Sequence, residues 1–212
     1  MRTNRFPRIA LAVVGAVALP MALSACSSNG SKGDAKASSD KAPPAAAAKS
    51  NALDAGKPFG PGCATVPKNG AGSFNGMAKD PVATAASHNP ALSTLVTAVR
   101  KAGLADTLNN AENVTVFAPT NDAFNKIPKA RLDKVLNDKA MLTKILTYHV
   151  VGRKLTPKML ENGSYPTLEK SKLTTAGSGV SYKVDDASNV VCGNVPTANA
   201  TVYIVDSVLM PE

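Results

Sequence analysis

The order of secondary-structure signals along the chain predicts an α+β domain. Helical signals dominate between residues 80 and 163, and short β-type runs separated by turn residues follow them to the C-terminus. Helices first and strands later are typical of an α+β arrangement around one core. The domain has about 150 residues, which is enough to bury one good hydrophobic core.

Residues 1–25 are predicted to form a lipoprotein signal peptide that ends before Cys26. Three arginines precede an apolar run over residues 9–23, and Leu-Ser-Ala-Cys closes the run. Charge, apolar run and small residues in this order are typical of secretory signals, and the run is too short and interrupted for a transmembrane helix. Leu-Ser-Ala-Cys resembles the bacterial lipobox, which implies that Cys26 receives a diacylglycerol. The alternative is an ordinary signal peptide with an accidental cysteine.

Residues 26–58 are predicted to be a lipidated N-terminus followed by a disordered tether. They consist largely of Ala, Ser, Lys, Asp, Gly and Pro and contain few large apolar residues. Such a composition cannot bury enough surface to fold. A flexible chain of this length reaches about 30 Å on average. The folded domain is therefore expected over residues 59–212.

Charge and cysteine content narrow the class of protein. From Cys26 onward the chain carries 21 basic and 15 acidic residues, a formal net charge of +6. This favours weak attraction to anionic surfaces such as lipid head groups or acidic polymers. The features of a nucleic-acid-binding protein are missing from the sequence. Cys63 and Cys192 remain after Cys26, and two such cysteines in an exported protein indicate one disulfide, with two free thiols as the alternative.

Turn and capping residues define the helices and strands. Asp80-Pro81 and Asn89-Pro90 are typical helix starts, and Leu92, Leu95 and Val99 form one apolar helix face. Further short helices are expected around residues 104–108, 121–124, 132–136, 141–146 and 157–162. Strands are predicted at Val114–Ala118, Lys172–Thr175, Val180–Val184, Asn189–Cys192 and Thr201–Met210, with residues 148–151 extended.

Three segments resemble the signatures of the fasciclin domain family. Residues 115–124 (Thr-Val-Phe-Ala-Pro-Thr-Asn-Asp-Ala-Phe) resemble the first signature, Tyr148-His149 the central Tyr-His pair, and residues 201–211 the closing signature. Four further motifs resemble those of the secreted and lipid-anchored fasciclin antigens of mycobacteria and related actinobacteria. They lie at residues 60–63, 80–83, 146–151 and 191–193. The resemblance implies a β-wedge or sandwich of about seven short strands flanked by short helices. It also implies a Cys63–Cys192 disulfide. Tyr203 stands near the place where many members have a histidine, so binding roles of that histidine cannot be carried over.

Tyr148, His149 and Asp206 are predicted to form a structural polar core. Alternation along the last strand places Asp206 on the same face as Val202 and Ile204. A buried carboxylate needs partners, and Tyr148 or His149 are the expected ones. His149 with Asp206 also resembles half of a catalytic dyad, but the sequence supplies no nucleophile motif beside it.

The sequence contains no recognisable catalytic or cofactor-binding motif, and this favours a non-enzymatic protein without a cofactor. Metal-ligand spacing, a nucleophile elbow and a dinucleotide fingerprint are missing from the sequence, so no catalytic or metal residues are assigned. The family resemblance implies cell adhesion or protein and matrix contacts at the cell envelope, with the membrane as a partner through Cys26. The alternatives are a carrier of a lipid or small hydrophobic ligand and, more weakly, a hydrolase that uses an accessible His149. Ligand-binding residues and the partner remain unassigned.

Overall fold

Seven strands form one mixed sheet in the computed structural model, which describes residues 56–211. The predicted signal peptide, Cys26 and the tether as far as residue 55 lie outside the described residues. The strands are β1 Val114–Pro119, β2 Val150–Val151, β3 Asn162–Pro166, β4 Lys172–Ser178, β5 Ser181–Val184, β6 Ser188–Pro196 and β7 Ala200–Val205. The predicted α+β class with seven strands and short flanking helices is confirmed.

The sheet curls toward a barrel. Its strand order is β2-β1-β7-β6-β5-β4-β3, with β1 and β7 parallel and all other neighbours antiparallel. The two outer ends approach each other, because Val151 forms a bridge with Thr167 and the N–H of Leu168 donates to the Val150 carbonyl at 2.8 Å. The outer strand β2 therefore has a partner on both sides.

Between residues 56 and 211, seven α-helices surround one side of the sheet. They are α1 Phe74–Met77, α2 Val82–Ser87, α3 Ser93–Ala102, α4 Ala105–Asn110, α5 Asn121–Asn125, α6 Lys129–Asn137 and α7 Lys139–Tyr148, and 3₁₀ turns occur at Pro61–Thr65, Pro90–Leu92 and Pro157–Glu161. Asp138 caps α7 by accepting bonds from two backbone N–H groups, and Gly103 ends α3 with a left-handed φ of 72°. Within residues 56–211, no helix is long and apolar enough to cross a membrane.

Two hydrophobic clusters lie on opposite faces of the central strands. In β7, Val202 and Ile204 pack toward the helices, whereas Tyr203 and Val205 point to the other face. The second cluster, inside the curled sheet, is rich in aromatic residues: Phe59, Phe117, Tyr148, Tyr165, Tyr182 and Tyr203. Both faces are buried, and β1 and β7 are accordingly apolar apart from Thr115 and Thr201, as is usual for buried parallel strands.

Several predicted boundaries were wrong for identifiable reasons. Tyr148 belongs to the last turn of α7 and is not extended. Asn162-Gly163 was expected to end a helix, but it begins β3, which pairs with β4 from Asn162 to Pro166. A Cβ on Gly163 would overlap the Tyr165 ring in its present position. The last strand stops at Val205 and not at Met210.

Candidate functional site

His149 is the buried polar centre of the domain. It caps the C-terminus of α7, and only 2% of its surface is exposed. Its Nδ1 lies 2.8 Å from the Ile145 carbonyl oxygen, and its Nε2 lies 3.0 Å from the backbone nitrogen of Leu209. A carbonyl only accepts and a backbone N–H only donates, so Nδ1 carries the proton and Nε2 accepts.

Burial also determines the protonation state of His149. It lowers the pKa from 6.5 to about 4, while the bond to the Ile145 carbonyl and the charge of Asp185 act in the opposite direction. The imidazole is therefore neutral at pH 7. Because both ring nitrogens are engaged by backbone groups, neither is available to take a proton from a substrate, and this geometry gives the hydrolase alternative no support.

Asp206 is not the partner of His149, and that prediction was wrong. The alternation argument required the strand to continue through residue 206, but β7 ends one residue earlier and turns the carboxylate toward β6. There its Oδ1 accepts from the Asn189 backbone N–H at 2.8 Å and its Oδ2 from the Asn189 side chain at 3.0 Å. Lys126 Nζ lies 3.3 Å from Oδ2. Burial alone would raise the pKa of Asp206, but these bonds and one from Ser207 lower it to about 2.

Tyr148 has Asp185 as its carboxylate partner. The Tyr148 hydroxyl lies 2.8 Å from Asp185 Oδ2 and 3.1 Å from the Lys172 carbonyl oxygen. The other oxygen of Asp185 accepts from the Thr174 backbone N–H at 2.7 Å. Asp185 and Asp186 both have φ of 50°, in the tight turn between β5 and β6. The hydroxyl thus joins the end of α7 to this turn.

A disulfide joins the N-terminal segment to the sheet. The sulfurs of Cys63 and Cys192 are bonded, across a sequence separation of 129 residues. Nearby, Phe59 forms a two-way backbone bridge with Gly193 and inserts its ring into the aromatic cluster. A Cβ on Gly193 would overlap that ring. The disulfide and the bridge together hold the start of the domain against β6.

Tyr203 has a structural environment. It is fully buried, its ring stacks on Phe117 with centroids 5.8 Å apart, and its hydroxyl donates to the Leu155 carbonyl at 2.9 Å. Burial raises the pKa of the Tyr203 hydroxyl. Its position inside the curled sheet leaves it without access to a ligand from outside.

An apolar cavity lies between helices α2 and α3 and the sheet. Its volume is about 60 Å³, and its walls are almost wholly apolar, including Leu95, Val99, Val116 and Ile204. His149 contributes to the wall. An apolar protein cavity that binds benzene measures about 150 Å³, and ligand pockets usually have about 300–1,000 Å³. The cavity as it stands is therefore too small for a lipid.

Two asparagines that the sequence analysis did not single out for a structural role are important here. Asn89 lines the cavity and is 1% exposed. Its Oδ1 accepts a hydrogen bond from the Ala91 N–H at 3.0 Å, whereas its Nδ2 has no hydrogen-bond partner among the described residues. Asn199 accepts from the Val82 N–H at 2.8 Å, and its Nδ2 donates to carbonyls at the end of α4. Asn89 precedes a proline, which marked it only as a helix cap, and no sequence feature indicated the structural role of Asn199.

The described part of the chain contains no cluster of three or more histidine, cysteine or acidic side chains arranged to hold a metal ion.

Comparisons with known proteins agree with the signatures. The sequence-family model of the fasciclin domain matches residues 90–211 of this chain. The chain is 48% identical over 165 residues to the immunogenic protein MPT70 of Mycobacterium tuberculosis, covering 74% of this chain and 84% of that protein. It is also 48% identical over 161 residues to the cell surface glycolipoprotein MPT83 of the same species, covering 72% of each.

A solved structure shares the fold. It is the FAS1 domain pair from the insect cell adhesion molecule Fasciclin I, with a TM-score of 0.53 and 20% sequence identity. The match covers 65% of this chain and 53% of that chain, so this protein spans about half of the domain pair. At this identity the likeness establishes the fold alone.

Proposed function

Because the chain belongs to the fasciclin domain family, we propose that it is a non-enzymatic surface lipoprotein that displays this domain for adhesion or protein and matrix contacts. A lipid on Cys26 would anchor it to the outer face of the cytoplasmic membrane or the cell envelope. Residues 26–58 would hold the domain away from the lipid surface.

The observation that carries this proposal is the 48% identity of the domain to a protein named a cell surface glycolipoprotein. The lipobox-like sequence that precedes the domain supports the anchor. The geometry of the described residues is compatible with a binding module. His149 and Asp206, which resemble half of a catalytic dyad in the sequence, have structural roles. His149 is 2% exposed and connects α7 to the C-terminal segment, and Asp206 is bound to Asn189 of β6. Recognition would then use the outer surface of the domain.

Cell fractionation tests the anchor. We expect Cys26→Ser to release the protein into the medium or to leave an uncleaved precursor, while the neighbouring change Ser27→Ala leaves the mature protein in the membrane fraction. Mass spectrometry of the N-terminal peptide should show the lipid in wild type and Ser27→Ala only. A mature-sized Cys26→Ser protein in the membrane fraction would contradict the anchor.

An attachment assay tests the adhesive role. Cells that lack the protein would be complemented with the full chain or with residues 1–58 alone, which keep the lipobox but lack the domain. We expect only the full chain to restore attachment to neighbouring cells or to matrix. Equal attachment with both chains would show that the fasciclin domain does not mediate adhesion.

A carrier of a small apolar molecule is a second candidate function, and it requires the cavity to widen beyond about 60 Å³. The apolar wall of the cavity and the unpartnered Nδ2 of Asn89 suit a slender apolar molecule with one hydrogen-bond acceptor, because an unsatisfied buried donor is costly. Native mass spectrometry of protein purified from its own envelope should then show an adduct that disappears on unfolding. Val96→Phe, which fills the cavity, should abolish the adduct; a wild-type protein without adduct would exclude the carrier.

A further inference from the structure

The positive charge of the domain is concentrated on one helical hairpin. Residues 56–211 contain 17 basic and 11 acidic residues, a formal net charge of +6. The 19 residues from Lys126 to Lys144, which include α6 and α7, contain six basic and two acidic residues, a net charge of +4. The other 137 described residues share a net charge of only +2. The surface of this hairpin is therefore the distinctly basic part of the domain.

Most of these charges project into solvent without a counter-charge. Lys129, Arg131, Lys134 and Lys139 are exposed and form no ion pair within the described range. Lys126 and Lys144, in contrast, pair with carboxylates at 3.3 and 3.7 Å. We call the four unpaired residues, together with Met141, the basic face.

The inner side of the hairpin explains why these groups point outward. Val135 of α6 and Leu142 and Ile145 of α7 are buried against the core. Packing on that side leaves the opposite side of α6 to charged residues. Of the two acidic residues, Asp138 is bound to the backbone N–H groups of Ala140 and Met141 at the start of α7. Asp133 is exposed in α6, so it and the four unpaired basic residues have a net charge of +3.

An exposed apolar side chain accompanies the charges. Met141 is 46% exposed in the first turn of α7, two residues after Lys139, and it is one of three large apolar residues exposed in the described domain. Lysines and arginines around an exposed apolar residue are typical of surfaces that lie at the boundary of an anionic membrane.

We propose that the basic face docks on the anionic lipid head groups of the membrane that carries the protein. This inference rests on the proposed lipid anchor, which would keep the domain close to the membrane. A tether of the predicted kind reaches about 30 Å, and the attraction acts within about 8–10 Å of the surface. Docking would lay the α6–α7 hairpin on the lipid and turn the rest of the domain outward.

Vesicle binding of the mature chain without its lipid tests this contact separately from the anchor. Residues 26–212 with Cys26→Ser would be sedimented with vesicles of phosphatidylcholine, alone or with phosphatidylglycerol at about 30 mol%, as a model anionic surface. We expect binding only to the anionic vesicles, and its loss at high salt because the charges are screened.

A matched pair of triple variants identifies the face. Each basic residue near an anionic surface contributes about fivefold in partitioning, so K129E, R131E and K134E together should weaken vesicle binding by about 100-fold or more. The control combines K154E, K158E and K183E, which changes the net charge equally at exposed positions outside the hairpin. Retained vesicle binding in the control variant would support the proposal that the basic face is the part that contacts the lipid. Equal loss in both variants, or equal wild-type binding to neutral vesicles, would overturn the proposal.

Fluorescence gives the orientation. The chain contains no tryptophan, so Met141→Trp introduces a single reporter on the basic face. We expect its emission to shift to the blue with anionic vesicles, whereas Val180→Trp, at the similarly exposed β4–β5 turn, should not shift. A shift in the control alone contradicts the docking geometry. Retention of mature-sized Cys26→Ser protein in the membrane fraction of cells, with normal vesicle binding, would contradict the anchor only.

Discussion

The Nε2 atom of His149 accepts a hydrogen bond from the backbone N–H of Leu209, 60 residues later in the chain, at 3.0 Å. The Leu209 side chain is 2% exposed, although no strand continues beyond Val205. The imidazole therefore takes the place of a sheet neighbour for the segment after β7. His149 acts as a structural connection between the end of α7 and the C-terminal segment.

Truncation of this side chain should be costly. His149→Ala leaves the buried Leu209 N–H without its acceptor, which costs about 1–3 kcal/mol. It also removes one of the two hydrogen bonds to the Ile145 carbonyl, which keeps the bond from the backbone N–H of residue 149. We expect the free energy of unfolding at pH 7 to fall by about 2–4 kcal/mol, measured by urea denaturation. The control His88→Ala removes the other histidine, an exposed residue whose Nδ1 lies 3.2 Å from an Asp80 carboxylate oxygen, and should cost about 1 kcal/mol or less. Equal costs for both variants would contradict the structural role.

The same histidine should make stability pH-dependent in the mildly acidic range. The folded-state pKa of His149 is about 4, below the ordinary histidine value of 6.5, so between these values the unfolded chain binds more protons. Stability is then complete above pH 6.5 and falls as the pH drops toward 4, by about 3 kcal/mol at most. Urea denaturation across this range should show the slope, and His149→Gln should flatten it. An unchanged slope in the variant would assign the effect to other groups.

The parts of the fold that follow local rules could be predicted from the sequence. Gly103 ends α3, Pro119 lies at the end of β1, and the apolar runs of β1 and β7 became buried strands. The signatures also led to the correct family. These features depend on residues close together in sequence, where capping and hydrophobic periodicity apply directly.

The features that depend on distant pairing could not be predicted in the same way. β3 contains Asn162, Gly163 and Ser164, which are weak strand formers, and its pairing with β4 imposes the strand. Asp206 was assigned to His149 because the strand was extrapolated beyond Val205, and nothing in the sequence linked Asp185 to Tyr148, which it binds. Polar pairs between distant elements require the sheet register, which the sequence alone does not provide.

The disulfide should contribute strongly to stability. It closes a loop with a sequence separation of 129 residues, for which the chain-entropy model gives about 5 kcal/mol as an upper value. We expect the double change Cys63→Ala and Cys192→Ala to lower the free energy of unfolding by about 2–5 kcal/mol. Reductant should destabilise wild type to a similar level and leave the double variant unchanged. Peptide mapping without reductant should yield one cross-linked pair, and full alkylation of both thiols in the folded protein would rule out the bond.

Two buried tyrosines allow a direct comparison of a bonded and an unbonded hydroxyl. The Tyr148 hydroxyl donates to the Asp185 carboxylate at 2.8 Å, whereas the Tyr182 hydroxyl, also buried, has no hydrogen-bond partner among the described residues. Hydrogen bonds to charged groups contribute about 1.5–3 kcal/mol, and a buried hydroxyl without a partner is itself unfavourable. Tyr148→Phe should therefore lower the free energy of unfolding by about 1–3 kcal/mol, and Tyr182→Phe should leave it unchanged or raise it. Both changes delete one oxygen from a ring in the same aromatic cluster, so a difference between them measures the hydrogen bond and not the packing. Equal destabilisation by urea denaturation would mean that the Tyr148–Asp185 contact does not stabilise the junction between α7 and the β5–β6 turn.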